Sequence, residues 1–420
     1  MTDFREILSQ ELIHAMGCTE PIAIALCAAK ARELLGCRPE RMTVSCSGNV
    51  IKNAMGVTVP NACGAAGIDT AAAVGCFGGD AGRGLEVLVP VTAEQAQRAR
   101  AFIRAGHVRL EHKRGVDNLY IQVVMNAGDD EAEAVIAGAH NRFIRLRKNN
   151  GLILDIQDDP KGSAGIPDFE FSDILHYARQ LDLACDSGLY ELLDAQIRCN
   201  LAIAEEGLAG EYGASVGKTL MESYPDDRKT RLRAYAAAGS DARMAGSPMP
   251  VVINSGSGNQ GMTTSLPLII YAREQGLSRD ALHRALILAN LTAVYIKRLI
   301  GKMSAFCGVV SAAAAAGAGL AFLQDLDEKK MGDVIAVTLL TSGGILCDGA
   351  KASCASKISI AVDNALLALE MVKRGRTLPQ TQGLSGRDVD ETIRKVARVA
   401  REGMKETDEV ILDEMLRREV

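Results

Sequence analysis

Four cysteines and their glycine-rich surroundings carry the chemistry this sequence offers. Cys347 and Cys354 lie seven residues apart in Gly343-Gly344-Ile345-Leu346-Cys347-Asp348-Gly349-Ala350-Lys351-Ala352-Ser353-Cys354. Cys307 stands upstream in Ser304-Ala305-Phe306-Cys307-Gly308, at the head of an alanine-rich run. Small residues let backbone approach a bulky guest, and glycine admits turns with φ > 0. Thiols on such turns, at the edge of a buried helical layer, suit a metal or an iron–sulfur cluster. The same thiols would also serve as small buried hydrophobes, and spacing alone leaves both readings open. Cys18 follows Gly17 and precedes Thr19-Glu20-Pro21, which reads as a helix start. Amide donors and the helix dipole there are expected to lower the Cys18 pKa.

Two glycine turns share a core. Ser47-Gly48-Asn49 recurs as Ser257-Gly258-Asn259 inside Gly256-Ser257-Gly258-Asn259-Gln260-Gly261, each after a β-branched run and before a helical stretch. Such turns present amides to an anion such as a carboxylate, or they simply punctuate strand and helix. Lys52, Asn53 and Lys351 are further candidates for holding a small anionic ligand. Arg243 is another, with a structural ion pair as the equal alternative.

These residues need a scaffold. The chain has 420 residues with 48% hydrophobic and 24% charged side chains, enough for a large core. Aromatics are only 4%, so that core must be aliphatic and small. A net charge of −5 gives no reason to expect nucleic acid as a partner. Eleven cysteines without a signal-like start point to reduced thiols in a cytoplasm. The apolar run 305–323 is rich in alanine and reads as a buried helix, so no membrane partner is expected.

The periodicity predicts a mostly helical α+β protein. Residues 1–82 and 165–420 would form a helical catalytic body, and 83–164 an inserted small α/β subdomain. Within the insertion the pattern gives strands at 85–91, 108–113 and 119–125 and helices at 93–105 and 130–141. A helix is expected from Asp3 to Met16, with His14 one turn before Cys18, and an exit linker at 158–163.

Taken together, Gly17-Cys18-Thr19-Glu20-Pro21, the two Ser-Gly-Asn turns and the three later cysteines make the sequence similar to the L-cysteine desulfidases. That family is related to the iron–sulfur-dependent L-serine dehydratases, and the resemblance spans nearly the whole chain. It implies a [4Fe-4S] cluster held by Cys307, Cys347 and Cys354, a catalytic Cys18, and no pyridoxal phosphate. The implied reaction converts L-cysteine to pyruvate, ammonia and sulfide. Three protein ligands leave one iron open as a Lewis acid for the departing sulfur. Cys18 would take the α-proton. Ser47, Asn49, Asn53, Ser257, Asn259, Gln260 and Lys351 are the candidates for binding the amino-acid substrate. Dehydration of L-serine by the same machinery is the alternative, and a non-catalytic metal- or amino-acid-binding protein is another. A homodimer remains open.

Overall fold

The computed structural model describes residues 2–156, 167–301 and 303–417. The linker expected at 158–163 lies outside the described residues. Among the described residues the fold is mostly helical, with one six-stranded sheet and one two-stranded ribbon.

The helical mass surrounds Gly308–Leu323, whose residues are nearly all alanine, glycine, valine or leucine. Its side chains are so small that the helices Gly258–Gln275, Arg279–Ile300, Glu328–Ser342 and Cys354–Lys373 can all pack against it. Burial on every face is what an all-apolar helix requires. Among the described residues, no helix is long and apolar enough to cross a membrane.

The sheet runs Val108–His112, Arg41–Cys46, Tyr120–Ala127, Asp130–Ala137, Phe143–Lys148, Gly151–Asp155 in spatial order. Val108–His112 pairs parallel with Arg41–Cys46 (Met42 with Val108), and the remaining pairings are antiparallel (Val44 with Val123). The sheet therefore crosses the boundary expected at residue 82, because a strand from before it lies second from the edge. Ile121, Val123, Met125, Ala132, Ala134 and Ile136 are all buried. The helix Thr19–Leu35 packs on the two strands that carry them and, on its other side, on Ile68–Gly78. Cys27, in mid-helix, points its thiol at the Ala134 carbonyl, 3.2 Å away. Cys18 thus sits at the head of a helix wedged between sheet and helical body.

Three local expectations are corrected. Residues 130–141 read as a helix through their alanines and glutamates, but Asp130–Ala137 is a strand between two others. Tertiary pairing overrides weak propensity there. Residues 85–91 form no strand: a short 3₁₀ segment, Ala81–Glu86, runs into turns before Pro90, which cannot donate to a ladder. The first helix ends at Glu11, and His14–Met16 is instead a strand.

Candidate active site

Two very short β pairings assemble the site. His14–Met16 lies antiparallel to Pro250–Val252, with His14 opposite Val252 and Met16 opposite Pro250. Gly17 then turns at φ +60°, and Cys18 becomes the N-cap of Thr19–Leu35. This places Cys18 beside the segment 243–259. Its Sγ lies 3.7 Å from Met244 Sδ, and Asn259 Nδ2 lies 3.7 Å from the same sulfur. Arg243 donates through Nη1 to Asn259 Oδ1 at 3.3 Å and through Nη2 to Thr19 Oγ1 at 3.2 Å.

The second pairing is a bridge between Phe306 and Leu346. The Cys307 N–H donates to the Ile345 carbonyl at 3.1 Å, and that of Cys347 to Ala305 at 2.7 Å. The two thiols are consequently neighbours and hydrogen-bond one another, which holds Cys347 low and Cys307 high. Cys307 caps Gly308–Leu323, and Cys354 opens the helix Cys354–Lys373. Three of the four thiols therefore stand at helix starts, not Cys18 alone. The loop from Cys347 to Cys354 is cross-linked by a Lys357–Asp348 ion pair and by the Lys351 N–H on Cys354 Sγ at 3.4 Å.

Close backbone approaches join the two halves. Cys354 packs on the small cluster of Cys18, Val57 and Met244, as does Ala350. A Cβ on Gly308 would lie 2.6 Å from the Gln260 carboxamide, and one on Gly258 2.3 Å from Arg243 Nε. Gly349, at φ +91°, touches the Lys52 carbonyl, where a Cβ would stand 2.2 Å from the oxygen. Gly349→Ala is expected to cost at least about 2 kcal/mol through left-handed strain and overpacking. Denaturant unfolding checks it, and an unchanged midpoint would refute the account.

Electrostatics around the thiols differ from the sequence reading. Burial pushes the Cys18 thiol up to about 12, against the pull of Arg243. Cys18 is 1% exposed, so loss of water outweighs the helix start, and its resting form is the thiol. Lys297, buried among the core helices, is lowered to about 8 by its burial, with Cys347 and Cys307 opposing. Burial also lowers Lys351, whose ammonium donates to the Met55 carbonyl at 2.8 Å.

Of the proposed substrate contacts, Asn259, Gln260, Asn53 and Lys351 come to this region. Gln260 Oε1, Asn53 Oδ1 and Arg243 Nε are buried without a hydrogen-bond partner. Ser47 and Ser257 have local duties instead. Ser47 Oγ donates to the Asn118 carbonyl at 2.7 Å, and Ser257 Oγ accepts from the Gln260 N–H at 3.4 Å as a helix cap. Asn49 lines a surface hollow of about 400 Å³ with Ser47, Lys52, Asn118 and Asp408. Lys52 ties that hollow to the thiols, since its charge helps hold Cys347 low. Sequence reasoning missed Lys297, which resembles any lysine near the end of an amphipathic helix. It also gave Glu20 no role beyond the helix start after Cys18.

A family model described as "Serine dehydratase alpha chain" matches residues 82–413. The chain belongs to this family. The matched span holds Arg243, Asn259, Gln260 and the three later cysteines, while Cys18, Glu20 and Asn53 precede it. Similarity to proteins called UPF0597 covers those as well. The one from Finegoldia magna is 44% identical over 99% of this chain and 100% of its own length. Those from Lachnoclostridium phytofermentans and Bacteroides thetaiotaomicron are 43% and 38% identical over 98% of this chain, and 98% and 96% of their own.

The donor set fits an iron–sulfur cluster: three thiols on small-residue loops, with the cations Lys297 and Lys52 within electrostatic reach. Among the described residues, no three His, Cys, Asp or Glu side chains converge as ligands of a single ion do.

Proposed function

We propose that this chain is a pyridoxal-phosphate-independent lyase that converts L-cysteine and water to pyruvate, ammonia and sulfide. The observation that carries the reading is the meeting of Cys18 with the Cys347–Cys354 loop across Met244 and Ala350. Cys307, Cys347 and Cys354 would hold a [4Fe-4S] cluster, which supplies an open Lewis-acidic iron that weakens the Cβ–sulfur bond.

The chain's own residues have separate tasks. Arg243, anchored on Asn259 and Thr19, presents a guanidinium for the substrate carboxylate. Cys18 carries the proton exchanged at Cα. Resting as a thiol, it would give its own proton to the departing sulfur and take the one from Cα, and the field of Arg243 favours that loss. Val57, Met244 and the packed helix start exclude water, so proton loss from Cα does not compete with solvent exchange.

Dehydration of L-serine is a second reading, favoured by the family match. The sulfur-lined, apolar surroundings of Cys18 and Met244 support the thiol substrate, because burying a hydroxyl without a partner is costly. Anaerobically prepared protein should release sulfide and pyruvate from L-cysteine faster than pyruvate from L-serine. A preference for L-serine would replace the first reading with the second, and turnover of neither would sink both. Arg243→Lys is expected to raise KM about tenfold or more with a smaller change in kcat, because a bidentate contact becomes a single one. An unchanged KM would remove Arg243 from the carboxylate site.

A further inference from the structure

Glu20, two residues after Cys18, has a largely buried carboxylate, with its side chain 16% exposed. One oxygen, Oε1, accepts a hydrogen bond from Asn53 Nδ2 at 3.0 Å. The same oxygen faces His140 Nε2 across 3.6 Å, beyond normal hydrogen-bond length. His140 reaches in from the connection between Asp130–Ala137 and Phe143–Lys148. Its imidazole lies against Gly256 of the second glycine turn, where a Cβ would come within 3.0 Å. His140 Nε2 and Asn53 Oδ1 are both buried with no hydrogen-bond partner. Burial pushes the Glu20 carboxyl up, but His140, a backbone amide and Arg243 together outweigh it and hold the group below the usual carboxylate range. The site thus keeps a buried carboxylate that faces an imidazole without a hydrogen bond between them. A buried charge is normally tightly paired, since several kcal/mol depend on it.

Glu20 and Arg243 both lie within electrostatic reach of the Cys18 sulfur, with opposite effects on it. Arg243 makes its hydrogen bonds to Asn259 and Thr19, which leaves the Glu20 carboxylate to another donor. An anion and a cation flanking one reacting thiol complement a zwitterion that carries an ammonium and a carboxylate on a single carbon.

We propose that Glu20, with Asn53 Oδ1 beside it, binds the α-ammonium group of the substrate, opposite the Arg243 carboxylate contact. The ammonium offers three donors, and Glu20 and Asn53 offer the matching buried acceptors. His140 steadies the carboxylate while the site is empty. The inference rests on the reading of the chain as a lyase of α-amino acids, and it explains why the sheet sends a histidine into the helical body.

The test is titration calorimetry on anaerobically prepared full-length protein with two unreactive ligands, L-alanine and propionate, which differ by the α-ammonium group. The wild type should bind L-alanine about tenfold or more tightly than propionate, the size of a charge-assisted hydrogen bond. Glu20→Gln should abolish that preference while leaving propionate affinity within about twofold. Equal affinities in the wild type overturn the proposal, and that comparison needs no variant to fold. A Glu20→Gln protein that weakens both ligands alike overturns it too, since the role is then structural. If L-cysteine or L-serine is turned over without the ligand preference, only this inference falls. If neither ligand binds and neither amino acid reacts, the lyase reading falls with it.

Discussion

Cys18→Ala protein is expected to keep its iron and the visible absorption of a cluster while losing at least about a hundredfold in turnover of L-cysteine. Cys18 lies on a different element from the cysteine trio, and its nearest hydrogen-bonding neighbour is the Met244 sulfur. Removing its sulfur leaves the bridge between Phe306 and Leu346 untouched, so the other three thiols keep their places. The measurements are iron and acid-labile sulfide content, the absorption spectrum, and sulfide release under anaerobic conditions. Normal turnover would remove Cys18 from the chemistry. Failure to assemble a cluster would make it a ligand or a structural thiol instead.

Cys347→Ala should lose both properties. Cys347 hydrogen-bonds to Cys307 and is held low by that bond and by Lys52. It is the thiol readiest to bind as a thiolate, and two remaining cysteines hold a cluster poorly. Loss also strips Lys297 of one of the two thiols that favour its charged form. Iron content after anaerobic reconstitution should fall to a small fraction of wild type, and turnover with it. A Cys347→Ala protein that retains full iron would contradict the proposed ligand set.

Much of this site could be read along the chain because its parts are locally unusual. Cysteines among glycines and alanines stand out, and a proline in the first turn marks the helix after Cys18. What the sequence hid depends on very short pairings between distant segments. Nothing in His14-Ala15-Met16 announces Pro250–Val252 as its partner, and a helical period ran through it undisturbed. The strand Asp130–Ala137 was hidden by helix-forming residues, and with it the route by which His140 reaches Glu20. The Cys18 pKa went the other way from expectation for a separable reason. A helix start acts on a thiol through a field of limited size, whereas complete loss of water acts more strongly, and burial is set by Val57 and Met244 from elsewhere in the chain. Ser47 and Ser257 looked like ligands because hydroxyls on glycine turns can be; the carbonyl of Asn118 and the amide of Gln260 claim them first.

The Lys52–Asp408 ion pair fastens the segment behind the site to a helix 356 residues further along the chain. Lys52 has a side chain only 2% exposed, and its counter-ion stands on the Lys405–Arg417 helix. Removing the Asp408 carboxylate while the helix stays docked would leave a buried ammonium unpaired, at a cost of about 3–5 kcal/mol. Cys18 likewise meets Cys354 across more than three hundred residues of sequence. The helix Lys405–Arg417 carries none of the site's cysteines, yet it supplies the charge that lets Lys52 stay buried beside them.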